Sequence, residues 1–247
     1  MWHAQDPRAE NSISMTPYHY VANNPIAFID PDGLDWFYYK AEGDDDSTYH
    51  WQDGDKYTHS YSYTDENGKK QTNSIELAGT KSAILFEGSM DESLSEDGKL
   101  TGEGANPANV TVFGSGGADD VQTYRGLTVS SDPDKYPMLA EGQYPTDYQD
   151  MATSVYGTQG ALAKKVQPAL TYSLSQNGST KLPVVGGINK ATGKSYMTST
   201  FIHRTDWSGK ANRSSKGCLL IDGRQYRRFE KQLGKAMTIS ITLRRKK

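Results

Sequence analysis

Short stretches in which apolar and polar side chains alternate recur along the chain, and turn-forming residues separate them. Alternation with a period of two residues is typical of a β-strand with one face in a core and the other in water. The pattern predicts strands at 35–40, 57–63, 110–113, 122–129, 198–203, 218–221 and 237–243. The stretch 224–233 instead predicts a short helix, because Tyr226, Phe229 and Leu233 fall on one side of it. The sequence therefore predicts a mainly β protein, a β-rich α+β fold with few short helices.

The composition fits this fold and excludes several classes of protein. Of the 247 residues, 24 are Gly, 16 are Tyr and 35% are hydrophobic. No apolar run approaches the roughly 20 residues of a membrane-spanning helix, so we expect no membrane partner. One cysteine excludes an intramolecular disulfide framework and any Cys/His metal motif, so we expect neither metal nor cofactor. The net charge of −3 argues against nucleic acid as a partner.

The single cysteine, Cys218, is the main candidate for chemistry. Gly217 precedes it, and His203 lies upstream at the end of a predicted strand. A turn-forming loop, 205–215, separates the two predicted strands and could bring imidazole and thiol together. The pattern predicts a thiol nucleophile with a histidine base. The alternative is a buried cysteine that acts as a small apolar side chain.

The region around these two residues is basic. From 203 to 231 the chain has eight Lys and Arg residues against three acidic ones, a net charge of +5. Such a region suits a substrate that carries carboxylates. The predicted substrate-binding residues are Arg204, Arg213, Lys216 and Arg224. The alternative is a solvated charged surface with no ligand.

The first 34 residues have a distinctive set of turn motifs. They include Tyr18, Tyr20, the run 23–25 (Asn-Asn-Pro) and the run 30–33 (Asp-Pro-Asp-Gly). Residues 2–34 resemble the C-terminal end of the core of RHS/YD-repeat proteins, in which a β-cage encloses a variable toxin. The resemblance implies that the chain after Leu34 is cargo. It also implies that Asp6 and Asp30 assist self-cleavage just after Leu34.

The C-terminal part resembles a second family. The arrangement Ile202-His203, a polar loop, and then Ser214-x-x-Gly217-Cys218 is similar to the catalytic motif of L,D-transpeptidase (YkuD-like) domains. The resemblance implies a β-sandwich with few short helices, preceded by a smaller β-rich region. It implies an attack by the cysteine on peptidoglycan stem peptides, and the catalytic residues are then Cys218, His203, Gly217 and Ser215. We expect Lys216 and His203 to favour the thiolate form.

Together these patterns predict three parts and one leading function. The parts are an RHS junction segment (1–34), a β-rich N-terminal toxin region or linker (35–107) and an L,D-transpeptidase-like catalytic domain (108–247). The leading hypothesis is an antibacterial toxin that acts as an L,D-carboxypeptidase, an L,D-transpeptidase or both. It would be made in the cytoplasm, secreted by a contact-dependent type VI apparatus with its RHS cage, and active in the periplasm of the target bacterium. A cognate immunity protein would be a further partner.

Two other functions stay open from the sequence. One is a toxin that acts in the cytosol, such as a nuclease that uses His203, Arg204 and Asp206 while Cys218 is buried. The other is a non-enzymatic module that binds carbohydrate or protein through its many tyrosines.

Overall fold

The computed structural model describes residues 34–54, 56–130, 132–149, 171–174, 179–198, 200–205, 208–211, 217–233 and 238–246. In these parts of the chain the structure is mainly β, with one α-helix. The strands are β1 (Leu34–Tyr39), β2 (Thr48–Asp53), β3 (Lys56–Thr64), β4 (Lys70–Ala78), β5 (Ala83–Ser89), β6 (Ala108–Phe113), β7 (Val121–Leu127), β8 (Gly142–Gln149), β9 (Thr171–Leu174), β10 (Leu182–Pro183), β11 (Tyr196–Met197), β12 (Phe201–Arg204), β13 (Leu219–Ile221) and β14 (Thr238–Lys246). The helix is α1 (Tyr226–Leu233), and a single 3₁₀ turn covers Val185–Gly187. The prediction of a mainly β fold with few helices is confirmed.

Eight of these strands form one sheet that closes on itself. Their order around the barrel is β12-β13-β7-β6-β5-β14-β8-β9, and β9 pairs with β12 to complete the circle. The pairs β12/β13 and β14/β5 are parallel, while the other neighbours are antiparallel. The resemblance implied a β-sandwich, and the structure has a single sheet that curls and closes. Closure gives each barrel strand a neighbouring strand on both sides.

The inside of the barrel is filled by apolar side chains from every part of the sheet and from α1. Tyr226, Phe229 and Leu233, the three residues that predicted the helical face, are all buried in this core. The Tyr124 and Phe229 rings meet edge to face, with 5.6 Å between their centroids. The core cluster consists of Ile84, Phe86, Val110, Val112, Tyr124, Leu139, Tyr144, Leu174, Leu182, Val184, Met197, Ile202, Leu219, Ile221, Tyr226, Phe229, Leu233, Ile239, Ile241 and Leu243.

Strand β5 is buried on both faces, because the β1–β2 hairpin covers its outer side. Ile84 and Phe86 point into the barrel core, whereas Ala83 and Leu85 alternate onto the outer face. The outer cluster consists of Trp36, Tyr49, Ala83, Leu85 and Phe113. Polar contacts also attach the hairpin to the barrel: for example, Trp36 Nε1 donates to Gly114 O at 2.8 Å, and the Tyr49 hydroxyl lies 2.8 Å from Thr242 Oγ1.

The predicted boundary near residue 107 falls between two paired strands of the barrel. β5 belongs to the proposed N-terminal region, yet it pairs with β6 on one side and with β14 on the other. The segment between β5 and β6, for which the sequence suggested a linker, holds Leu100 fully buried. Residues 83–107 are therefore part of the same folded unit as the strands that follow them.

Candidate active site

The two strands that carry the predicted catalytic residues are neighbours in the barrel. β12 and β13 run parallel, with Ile202 paired to Leu219 and His203 paired to Leu220. Ile202 and Leu219 belong to the core inside the barrel. Because side chains alternate between the two faces of a sheet, His203 and Leu220 lie on the outer face. Leu220 packs there in a third apolar cluster, which consists of Leu100, Leu127, Val129, Ala211 and Leu220.

Cys218 lies directly before β13, at the start of this parallel pair. A hydrogen bond joins its side chain to the backbone of Phe201, the first residue of β12. If the β12/β13 register is continued back by one residue, Cys218 lies opposite Phe201. His203 is two residues further along β12 and is therefore the diagonal neighbour of Cys218. From the strand spacing and rise, their Cα atoms are on the order of 8 Å apart. The register therefore places the two predicted catalytic residues on the same face of neighbouring strands.

The imidazole of His203 is held in one orientation by the main chain. Its Nδ1 lies 3.0 Å from the carbonyl oxygen of Arg204. A carbonyl oxygen only accepts hydrogen bonds, so Nδ1 carries the proton and Nε2 has the lone pair. Burial is the main cause that lowers the pKa of His203, and the nearby Arg204 charge lowers it further, although the bond to the carbonyl opposes both. A neutral imidazole with a basic Nε2 is the resting form at neutral pH.

The peptide unit between Arg204 and Thr205 explains why the carbonyl points at the imidazole. The Thr205 N–H donates to the carbonyl oxygen of Ile221 at 2.9 Å. In a planar trans peptide the N–H and C=O point in opposite directions, so this bond also orients the Arg204 carbonyl. The Thr205 hydroxyl in turn accepts a 2.8 Å hydrogen bond from the Gly223 N–H. No side-chain motif encodes a carbonyl acceptor, and the sequence predicted no role for Thr205.

The environment of Cys218 bears on its ionisation. Burial raises the pKa of its thiol, and the hydrogen bond with the Phe201 backbone offsets only part of that rise. Burial therefore opposes the thiolate that Lys216 and His203 were expected to favour, and Lys216 itself lies outside the described residues. The physical reason is that a half-buried sulfur loses the solvation that a negative charge needs. Burial therefore favours the neutral form of both the thiol and the imidazole.

Gly217 is required by the backbone at the entrance to β13. Its φ of +122° lies in the region that favours glycine. A Cβ atom at this position would lie 2.7 Å from the carbonyl oxygen of Pro137 and 2.6 Å from Met197 Cε. The chain therefore turns tightly against Pro137 and Met197 immediately before the cysteine, and only glycine permits this approach.

The two predicted arginines within the described residues occupy different places. Arg204 is half-buried at the end of β12, next to His203, and its Nη1 donates to Thr205 O at 3.0 Å. Arg224 follows β13 at the end opposite Cys218. It makes a bidentate ion pair with the buried Asp222, with Nη2 at 2.6 Å from Oδ2 and Nε at 3.0 Å from Oδ1. The structure therefore separates Arg224 from the thiol and gives it a partner within the protein.

Several predicted site residues lie outside the described residues. They are Ser215, Lys216, Arg213, Asp206, Asp6 and Asp30. Leu34, the residue after which cleavage was expected, is the first residue of β1 and pairs with Asp53.

Within the described parts of the chain, no group of three or more His, Cys, Asp or Glu residues could hold a metal ion. The described helix is too short and too polar to cross a membrane.

Comparison with known proteins does not add a relative to this picture. No protein-family model, no curated protein and no solved structure matches the chain.

Proposed function

We propose that this chain is a cysteine acyl-transfer enzyme that acts on the stem peptides of peptidoglycan, as an L,D-carboxypeptidase, an L,D-transpeptidase or both. The observation that carries the proposal is the parallel register of β12 and β13, which places Cys218 and His203 diagonally from each other on the same outer face of the sheet. His203 Nδ1 is held by the Arg204 carbonyl at 3.0 Å, so Nε2 is available as a base. A neutral base beside a neutral thiol is the arrangement that general-base activation of a nucleophile needs.

The first half of the reaction forms a thioester. His203 Nε2 takes the proton from Cys218 as Sγ attacks the carbonyl carbon of the stem peptide. Backbone N–H groups near the thiol stabilise the oxyanion of the tetrahedral intermediate. As that intermediate collapses, the C–N bond breaks and the imidazolium returns its proton to the leaving amine. The acyl group is then held on Cys218, and the released amine is the terminal D-amino acid.

The second half restores the thiol. Water or the amine of a second D-amino acid attacks the thioester carbonyl, and His203 Nε2 accepts the proton of the attacking group. The C–S bond breaks, and the imidazolium protonates the sulfur. With water the net reaction is carboxypeptidase cleavage, and with an amine it is exchange or cross-linking. Each half uses only the thiol, the imidazole and the backbone donors.

The charge of the surroundings supports an anionic substrate. Arg204 lies next to His203 on β12, and Arg213 and Lys216 belong to the loop that leads to Gly217. These are the residues we propose to bind the stem-peptide carboxylates. The proposal leaves Arg224 out, because its guanidinium pairs with Asp222 at the other end of β13 from Cys218.

The biological setting follows from the resemblance of residues 2–34 to RHS junctions. We propose that the enzyme is the toxic cargo of an RHS protein, delivered by a contact-dependent secretion system to the periplasm of a competing bacterium. A cognate immunity protein would protect the producing cell by covering the Cys218 region.

Mass spectrometry of muropeptides tests this function. Tetrapeptide-stem muropeptides are incubated with the full chain, with and without a free D-amino acid. We expect loss of the terminal D-alanine or its exchange, and we expect neither with Cys218→Ala or His203→Ala. Ser62→Ala, on the exposed β3–β4 hairpin, is the matched control and should keep full activity. Unchanged muropeptides from folded wild-type protein would overturn the proposal, and toxicity of the chain expressed in the cytoplasm but not in the periplasm would favour a cytosolic target.

A further inference from the structure

The β3–β4 hairpin carries a row of aromatic rings along one face. Tyr57, His59, Tyr61 and Tyr63 occupy alternate positions of β3, so their side chains leave the same side of the strand. Successive ring centroids are 6.4, 6.2 and 6.4 Å apart, with interplanar angles of 29°, 22° and 40°. The hairpin therefore presents a regular series of rings with similar orientation.

The inner end of this row is anchored on the folded body of the protein. Tyr39 of β1 stacks on Tyr57, with centroids 5.1 Å apart, and also contacts His59 at 4.6 Å. Phe37, which is fully buried, contacts Tyr57 at 5.7 Å. The row then runs outward, so that Tyr61 and Tyr63 are 42% and 48% exposed. These rings are held in place at one end and are open to solvent at the other.

The two faces of the hairpin differ in chemistry. On the ring face, β4 places Ile75 opposite His59, Asn73 opposite Tyr61 and Gln71 opposite Tyr63. The other face has hydroxyl pairs such as Ser60 with Ser74 and Ser62 with Thr72. A row of exposed aromatic rings does not help a hairpin to stay soluble. Clustered exposed aromatic side chains of this kind mark binding surfaces.

We propose that the ring face of the β3–β4 hairpin binds an uncharged, linear glycan chain built of β-linked pyranoses. The C–H-bearing face of a pyranose packs on an aromatic ring, and each ring of the row can meet a different sugar unit. Tyrosine hydroxyls can donate to and accept from sugar hydroxyls. The amides of Gln71 and Asn73 already donate to Asp65 Oδ2 and to the Tyr61 hydroxyl, and each keeps a second N–H for a sugar hydroxyl. A row that joins rings to polar groups in this way suits a ligand that is itself both apolar and hydroxylated.

The charge of the hairpin selects this ligand over the alternatives. From 56 to 78 it has three lysines, Lys56, Lys69 and Lys70, against three acidic residues, so its net charge is zero. Single-stranded nucleic acid also stacks on aromatic rows, but those surfaces carry a positive groove for the phosphates. Tyrosine is also enriched in protein interfaces, so a protein partner, including a second copy of this chain, is an outcome that the test below must distinguish.

The ring face is separate from the candidate active site. The β1–β2 hairpin, on which the row begins, covers the outer side of β5, β6 and β14. In the barrel order, β5 and β14 lie on the opposite side from β12 and β13, where His203 and Cys218 are. The glycan proposal therefore depends only on the residues of the ring face and not on the candidate active site. Joined to the proposed function, on which this last step rests, glycan binding would hold the enzyme on the glycan strands that carry its stem-peptide substrates.

Titration calorimetry of the full chain with two soluble hexasaccharides, chitohexaose and cellohexaose, tests the proposal. We expect binding to at least one of them, with little change on adding salt up to about 0.5 M, because no charge pairs form. The double substitution Tyr61→Ala/Tyr63→Ala should weaken binding by about tenfold or more, since two ring contacts are lost. Tyr61→Phe/Tyr63→Phe keeps the rings and should retain most of the affinity. Ser62→Ala/Thr72→Ala, on the opposite face, is the matched control and should bind as wild type.

Four results would overturn the glycan proposal. They are no binding to either hexasaccharide, equal binding by wild type and the double alanine variant, salt-dependent binding of oligo(dT) to the row, and a wild-type dimer that the alanine substitutions dissociate. Because Tyr61 and Tyr63 are exposed, thermal unfolding should show that these variants fold normally. Binding is also measured in the Cys218→Ala chain, where it should be unchanged. Failure of the enzymatic proposal and failure of the glycan proposal are thereby distinguished.

Discussion

His203 Nδ1 lies 3.0 Å from the carbonyl oxygen of Arg204, the next residue along β12. This contact fixes the tautomer of the imidazole without any carboxylate, so the histidine needs no acidic partner to present Nε2. The hydrogen bond from Thr205 N–H to Ile221 O holds the same peptide unit. The parallel pairing of β12 and β13 therefore both brings His203 to Cys218 and orients its ring.

The acid limb of the pH profile should report His203. Burial lowers the pKa of this imidazole below its ordinary value of about 6.5. The neutral form is the base, so kcat/KM for stem-peptide cleavage should stay on its plateau down to pH values below about 6.5 and then fall. His203→Gln should lower the plateau rate by about 10²- to 10⁴-fold and remove this acid limb. An acid limb centred above pH 6.5 would contradict this assignment.

Alkylation of Cys218 should be slow at neutral pH. Burial raises the pKa of the thiol, and thiolate is the form that reacts with iodoacetamide. The rate in the native protein should therefore keep rising with pH beyond the ordinary thiol pKa of about 8.5. The chain unfolded in urea is the control and should follow an ordinary titration curve, which is simple to interpret because the protein has one cysteine. A native rate that is already maximal at pH 7 would show a resting thiolate instead.

Gly217→Ala should destabilise the protein and disturb the site. The new Cβ would meet both Pro137 O and Met197 Cε, and the φ of +122° adds backbone strain. We expect a loss of about 1–3 kcal/mol in the free energy of unfolding, measured by urea denaturation.

Gly43→Ala is the matched control for this substitution. Gly43 also has a positive φ, +93°, but a Cβ atom there would project into open space, with no contact to the rest of the chain within 4 Å. It should lose only the strain contribution, about 1 kcal/mol. Equal losses in the two variants would mean that the contacts with Pro137 and Met197 do not constrain Gly217.

Arg224→Ala should change stability and leave substrate affinity unchanged. It would leave the buried carboxylate of Asp222 without its bidentate partner, at a cost of about 1–3 kcal/mol in the free energy of unfolding. The KM for the stem peptide should be the same as in wild type, because Arg224 lies at the other end of β13 from Cys218. Lys190→Ala is the control: its pair with Asp134 is exposed, and its loss should cost about 0–1 kcal/mol. A large rise in KM with Arg224→Ala would restore its predicted role in substrate binding.

A chain that begins at Ala108 should fail to fold cooperatively. It would lack β5, which pairs with β6 and β14, and two barrel strands would be left with open edges. A chain that begins at Leu34 keeps β5 and the hairpin that covers it, and it should unfold in one cooperative transition. Circular dichroism during thermal unfolding compares the two. A cooperative transition in the shorter chain would re-establish the boundary near residue 107.

Much of the local structure could be predicted from the sequence. The alternating segments at 110–113 and 218–221 correspond to β6 and β13, and the spacing of Tyr226, Phe229 and Leu233 matches the buried face of α1. These predictions succeed because side-chain periodicity is a local property that follows directly from strand and helix geometry. The choice of Cys218 and His203 also came from local motifs, and the parallel pairing of their strands brings them together.

The arrangement of the strands and the burial of the candidate site depend on contacts between distant parts of the chain. Nothing in the segment 83–89 indicates that it pairs in parallel with β14, more than 150 residues away, and so closes the barrel. The ionisation of Cys218 and His203 depends on how much solvent the packed chain removes, which local composition does not reveal. Asp222, the partner of Arg224, is only two residues away, but its burial follows from the packing of the barrel around it. The sequence alone determines residue type and periodicity, whereas strand partners and burial arise only when distant segments pack together.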